Sequence, residues 1–156
     1  MATITRTFVL LSAILVAPAG AFAMGTADVS SDSRVSDPDY AKGVEAVKAE
    51  KWDEAVSALS RALSRDEKNA DIHNYLGYAE RHRGNFDAAF KHYERALALN
   101  PKHRGAHEYM GEAYLLTGNL TKAEEHLTAL DKLCMFSCPE YRELKEKVAE
   151  YKQKKM

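Results

Sequence analysis

Hydrophobic positions fall into three patterns along this chain. From Phe8 to Ala17 they form an apolar stretch with Ser12 its one polar residue, preceded by Arg6 as the only charge. From about residue 36 to 137 they recur at helical spacing, interrupted by short polar turns that contain Gly, Asn or Pro. From Pro139 onward, Leu144, Val148 and Tyr151 mark one stripe at i, i+4 and i+7, with charged residues elsewhere. The patterns predict, in turn, a leader, a set of packed helices, and a last helix with one buried face.

The apolar run is roughly half of the ~20 residues that a membrane span requires. Pro18 and Gly20 break it, and Ala21-Phe22-Ala23 fits the small-x-small cleavage rule. Residues 1–23 therefore read as a signal peptide. That predicts an exported protein, periplasmic or alternatively secreted, with no stable membrane insertion after cleavage. Residues 24–35, rich in Ser, Asp, Thr and Gly, read as a disordered N-terminal arm.

The middle pattern repeats. Shifted by 34 residues, the chain aligns Gly43, Gly77 and Gly111, and also Ala55, Ala89 and Ala123. Trp52, Phe86 and Leu120 share a column, as do Leu59, Tyr93 and Leu127, then Ala62, Ala96 and Leu130; His73 and His107 also coincide. Each unit reads as two helices. In the middle one they cover about Asp71–His82 and Phe86–Leu99, joined by Arg83-Gly84-Asn85 and stopped by Asn100-Pro101. Thr117-Gly118-Asn119 makes the same turn one unit later. Small residues in the Gly and Ala columns predict close helix contacts. Trp52 is expected to be buried between the helices of the first unit, as Phe86 is in the second.

On these residues the chain resembles the tetratricopeptide repeat family. The middle unit carries Leu76-Gly77, Ala89, Tyr93, Ala96 and Pro101; the third keeps Gly111, Tyr114, Gly118 and Ala123. The first unit departs most, with Lys42, Glu50 and Glu67 in place of the usual Leu, turn Gly and Pro. The resemblance implies an all-α, right-handed superhelical array: repeats at 36–69, 70–103 and 104–137, then a capping helix at 138–156. Ser137-Cys138-Pro139-Glu140 fits a capping box for that last helix.

Composition changes the picture by exclusion. With 22 Lys+Arg against 23 Asp+Glu, the formal charge of -1 argues against an electrostatic nucleic-acid binder. At 46% hydrophobic and 29% charged the chain is too apolar for a disordered protein. The sequence holds no Gly-x-Ser-x-Gly, no phosphate-binding Gly loop and no paired acidic motif on a strand. No enzyme activity and no cofactor are expected.

Cys134 and Cys138 are the sharpest local feature. In an exported protein a pair of cysteines in a turn reads as a disulfide that staples the cap. A redox or metal-handling envelope protein centred on the same pair is the alternative. His103 and His107 stand four apart, but Pro101 puts His103 in a turn and no His-Glu-x-x-His is present. His73 and His107 lie one repeat apart, about 10 Å by ordinary helix packing, which is too far for a shared ion. No metal site is expected.

In the family the first helices line a concave face. Matching columns place Tyr40, Asn74 and Glu108 there, then Val44, Tyr78 and Glu112, then Val47, Arg81 and Leu115, then Lys48, His82 and Leu116. Some members hold a peptide's terminal carboxylate with Lys, Arg and Asn; here Glu108 and Glu112 oppose that. A peptide or partner protein with a basic and an apolar part fits the strip better. The sequence therefore points to a protein-interaction module, whether adaptor, chaperone-like subunit or assembly factor. A structural subunit with no groove ligand is the further alternative.

Overall fold

Side-chain caps open four of the helices, those that begin at Pro38, Ala70, Arg104 and Leu120. The computed structural model describes residues 37–135 and 137–155; the expected leader at 1–23 and arm at 24–35 lie outside the described residues. Seven helices and no strand occur among the described residues: α1 Pro38–Lys48, α2 Trp52–Leu63, α3 Ala70–His82, α4 Phe86–Leu99, α5 Arg104–Leu116, α6 Leu120–Leu133 and α7 Pro139–Lys154. No helix among these residues is long and apolar enough to cross a membrane.

Asp37 opens α1 by accepting the amide N–H groups of Asp39 and Tyr40, at 2.8 and 3.0 Å. Arg65 donates to the same carboxylate at 2.8 Å and ties α2 back to this start. That guanidinium, hydrogen-bonded to Asp37, holds its carboxyl down at about 2. Asn69 caps α3 and Asn119 caps α6 in the same way. His103 caps α5: its Nδ1 accepts the Ala106 N–H at 3.1 Å, and its Nε2 meets Asp71 Oδ1 at 3.0 Å. At α7 the expected capping box is not formed. Cys138 is the N-cap residue and no side chain caps the helix, because Ser137 takes a left-handed φ of 50° and the chain turns one residue too late.

The turns after α3 and α5 use Gly84 and Gly118, with φ of +80° and +83°. The equivalent residue after α1 is Glu50, held at φ 56°. A side chain in this conformation costs roughly 1–2 kcal/mol. Glu50→Gly is expected to raise stability by about 1 kcal/mol after the extra freedom of glycine in the unfolded chain is subtracted. Denaturant melts of the two chains check this, and an unchanged midpoint refutes it.

The helices pack as three antiparallel pairs, α1–α2, α3–α4 and α5–α6, with α7 laid against α5 and α6. First helices also touch along one face, α1 to α3 and α3 to α5. The result is an all-α superhelical array closed by a single helix. The core runs through it from Leu59, Ile72 and Leu76, past Tyr93, Met110 and Ala113, to Leu130, Leu144 and Val148. Small residues set the spacing. A Cβ placed on Gly77 would stand 2.6 Å from the Tyr93 ring, and one on Gly43 2.5 Å from Leu59.

Those close contacts overturn the expectation for the aromatic residues. Tyr93 and Leu59 fill the space within the pairs, so Trp52 and Phe86 are only half-buried. The Trp52 indole leaves its own unit and stacks on His82 of the next, with ring centroids 4.2 Å apart and planes 14° apart.

Candidate functional site

The face where the first helices lie side by side carries two adjoining hollows. One, of about 280 Å³, is lined by Val47, Lys48, Glu50, Trp52, Tyr75, Tyr78, His82 and Tyr109. The rings interlock. Tyr78 sits 4.5 Å from His82 and 4.6 Å, edge to face, from Tyr109. Burial, then the Arg81 charge, lowers His82 below the ordinary imidazole value, so at neutral pH it stacks as an uncharged ring. Arg81 lies behind, its guanidinium carbon 5.0 Å from the Tyr78 centroid and 5.8 Å from that of Tyr109. These contacts fix aromatic rings that still have open faces. Such a surface binds apolar side chains at little cost in side-chain entropy.

The second hollow, of about 200 Å³, lies between α3, α5 and α7. Arg81, Glu112 and Leu115 form its floor, with Leu116, Lys147, Glu150, Tyr151 and Lys154 around it. Leu116 is 63% exposed, one of two large hydrophobic side chains so exposed among the described residues. Beneath it, Glu112 accepts from Arg81 at 2.7 Å and from Lys147 at 2.7 Å, joining three helices. The Arg81 and Glu112 side chains are 8% and 6% exposed.

The sequence-predicted groove residues separate into two sets. Tyr78, Arg81, Glu112 and Leu115 come together at the hollows. Tyr40 packs edge-on to Tyr75 and Val44 is half-buried in the same unit. Asn74 and Glu108 are buried at 6% and 4% exposure, so they do not present an open strip. Asn74 is covered from the start of α5, with its amide beside Gly105. Helix α7 covers Glu108 on α5, and its Glu143 carboxyl bonds to Glu108. Burial first, then that bond and the Glu112 charge, push Glu108 up to about 8, so it is uncharged at neutral pH. The acidic strip expected from Glu108 and Glu112 is thus neutralised within the protein, one residue by protonation and the other by two cations.

Sequence reasoning missed Tyr75 and Tyr109, which stand 34 residues apart and line the aromatic hollow. That spacing was the available signal. It also missed the α7 side chains, because a lone helix carries no repeat partner to align.

On the opposite side of the pairs, four histidines meet two by two. His73 Nδ1 lies 3.1 Å from His92 Nδ1, and His107 Nδ1 lies 3.0 Å from His126 Nδ1. The predicted alignment of His73 with His107 was correct, but each takes its partner from the second helix of its own unit. Burial, then the neighbouring His107, lowers His126 to about 4; the other three are also lowered, chiefly by burial. The neutral form is favoured in the folded state. The resulting stabilisation is complete above the ordinary value near 6.5 and is lost as pH falls toward 4. His126→Gln is therefore expected to lose less melting temperature between pH 6.5 and 4 than the parent chain. Equal losses in the two would refute it.

Cys134 and Cys138 stand at disulfide distance between α6 and α7. No group of three or more His, Cys, Asp or Glu converges as a metal site among the described residues.

Comparison with known proteins gives consistent relatives. Two family models described as tetratricopeptide repeat match residues 40–102 and 80–148. No curated protein sequence matches. Among solved structures, the Yersinia enterocolitica type III secretion translocator chaperone SycD aligns with a TM-score of 0.66 at 20% identity, over 75% of this chain and 83% of that one. The TPR2B domain of yeast Sti1, in a complex with pHsp70, aligns at 0.68 and 19% identity, over 74% and 94%. PcrH, in complex with the chaperone-binding region of PopD, aligns at 0.66 and 20% identity, over 76% and 91%.

Proposed function

The chain belongs to the tetratricopeptide repeat family, and from that premise we propose that it is a non-catalytic module that holds a segment of a partner protein on its concave face. The observation that carries this reading is the open aromatic hollow of Trp52, Tyr75, Tyr78, His82 and Tyr109, continued by exposed Leu116. Solved relatives of the same fold are described with bound peptides: SycD with a peptide of the translocator YopD, and the first repeat domain of Spaghetti with the HSP90 peptide SRMEEVD.

The chemistry of the hollows narrows the partner. Arg81 is already committed to Glu112, and Glu108 is uncharged, so neither a carboxylate tail nor a polybasic one finds a free counter-charge at the floor. The open surface between the charged residues of the rims (Lys48 and Glu50 at one hollow, Lys147, Glu150 and Lys154 at the other) is aromatic and aliphatic. The partner segment is one with two apolar anchors, one seated among the rings and one over Leu115 and Leu116, and with polar residues between.

Peptides selected from a random display library on residues 24–156 test this. The selected sequences are expected to share a large apolar residue. Tyr78→Ala and Leu116→Ser are each expected to weaken them tenfold or more with helical content unchanged. Lys91→Glu, on the far side of α4, should leave them unaffected. Peptides that ignore Tyr78 and Leu116 but are lost with Lys91→Glu would overturn the reading. Arg81→Glu is no test of binding, because it puts two carboxylates in one buried site.

We further propose that the protein is exported and acts in the periplasm, supported by the Phe8–Ala17 run and Ala21-Phe22-Ala23. N-terminal sequencing of envelope protein should start at or near Met24. An intact Met1 on that protein would overturn it.

A further inference from the structure

The paired histidines bring two imidazole nitrogens together, and they do so twice. In each pair two Nδ1 atoms converge at 3.0–3.1 Å. The outer ring nitrogens are already oriented. His73 Nε2 donates to the Glu67 carbonyl at 3.3 Å, and His107 Nε2 donates to the Pro101 carbonyl at 3.1 Å. A ring N–H given to a backbone carbonyl is the usual support of a metal-bound imidazole, because it fixes the tautomer that leaves the other nitrogen free. Here it leaves Nδ1 of His73 and His107 free, each facing the second ring.

We propose that His73 with His92, and His107 with His126, are two chelating sites for a divalent transition metal of the Cu²⁺ type. With metal–nitrogen bonds of about 2.0–2.1 Å, a nitrogen separation near 3.05 Å corresponds to an angle of roughly 95° at the metal. That is closer to the right angle of a tetragonal Cu²⁺ or Ni²⁺ centre than to the tetrahedral angle of zinc. The rings are tilted 40° and 52° to each other, so a small rotation brings both lone pairs onto one ion. His92 and His126 then carry their proton on Nε2, and no net proton is released. Each pair supplies two ligands and water completes the rest.

The two sites are not equal. A hollow of about 410 Å³ beside His73 and His92 is also lined by Arg95, whose charge opposes a cation. One repeat later the corresponding residue is Ala129, and Lys122, the cation that acts on His126, is paired with Glu125 at 2.7 Å. The site at His107 and His126 therefore binds first. The first unit has Asp39 and Ala58 at the matching positions and no such site.

Titration of metal-free protein with CuSO₄ tests the proposal, read by calorimetry and by electron paramagnetic resonance. Two ions per chain and a nitrogen splitting from two imidazoles are expected. His126→Gln should remove the tighter site and His92→Gln the weaker one, each by tenfold or more in affinity. Arg95→Ala should tighten the weaker site. Circular dichroism of the metal-free variants confirms that they are folded. Copper binding unchanged in the chain carrying both Gln substitutions, or a signal without imidazole nitrogen, would show the pairs to be hydrogen bonds alone. The outcome is independent of peptide binding on the opposite face.

Discussion

Tyr93→Ala is expected to destabilise the protein by about 3–5 kcal/mol, the range for a buried aromatic truncation. Tyr93 is fully buried, and its ring fills the contact between α3 and α4 that Gly77 leaves open. Gly77 supplies the internal control. A methyl group at that position would stand 2.6 Å from the Tyr93 ring, so Gly77→Ala alone should cost about 1–3 kcal/mol by overpacking. In the Tyr93→Ala chain the same change meets an empty space and gains helix propensity, so it should be neutral or stabilising. Denaturant melts of the four chains give the cycle. If the two single costs add, the close contact is not what holds this unit together.

Glu112→Ala is expected to cost a similar amount, about 3–5 kcal/mol, because it leaves the buried Arg81 guanidinium without its counter-charge. Lys147, about half exposed, can turn to water; Arg81 cannot. The melting temperature should fall by about 10–20 °C for a domain of this size. Replacing both charges by apolar groups of similar volume, Arg81→Met with Glu112→Leu, should recover most of that loss, since the desolvation cost of both ions disappears. A Glu112→Ala chain that melts with the parent would mean that Arg81 finds water, and that the floor of the second hollow is open. The same result would restore Arg81 as a possible contact for a partner.

Much of the architecture was legible in the sequence, and for a simple reason. A repeat that buries its own faces must repeat its small and large residues, so the columns at Gly43, Gly77 and Gly111 and at Ala55, Ala89 and Ala123 report packing directly. The turns at Gly84 and Gly118 were equally plain, because a left-handed residue leaves a chemical signature. The single apolar stripe of Leu144, Val148 and Tyr151 gave the last helix.

The site was legible only in part. Periodicity says which helix face a residue occupies, and Tyr78, Arg81 and Leu115, which it put on one face, line the hollows. It does not say what lies opposite. Trp52 looked like the core of its own unit and instead stacks on His82 of the next, because Leu59 had already filled the space beside Gly43. Glu108 and Glu112 looked like exposed acids and are instead buried by α7, one protonated and the other paired. His73 and His107 looked too far apart to act together, and each found its partner on the second helix of its own pair. Sequence alone determined the helices, their order and their repeat, because those depend on neighbours within about one turn or one period. Tertiary structure decided charge state, exposure and partnership, because these depend on which side chains from distant segments exclude water from the same place.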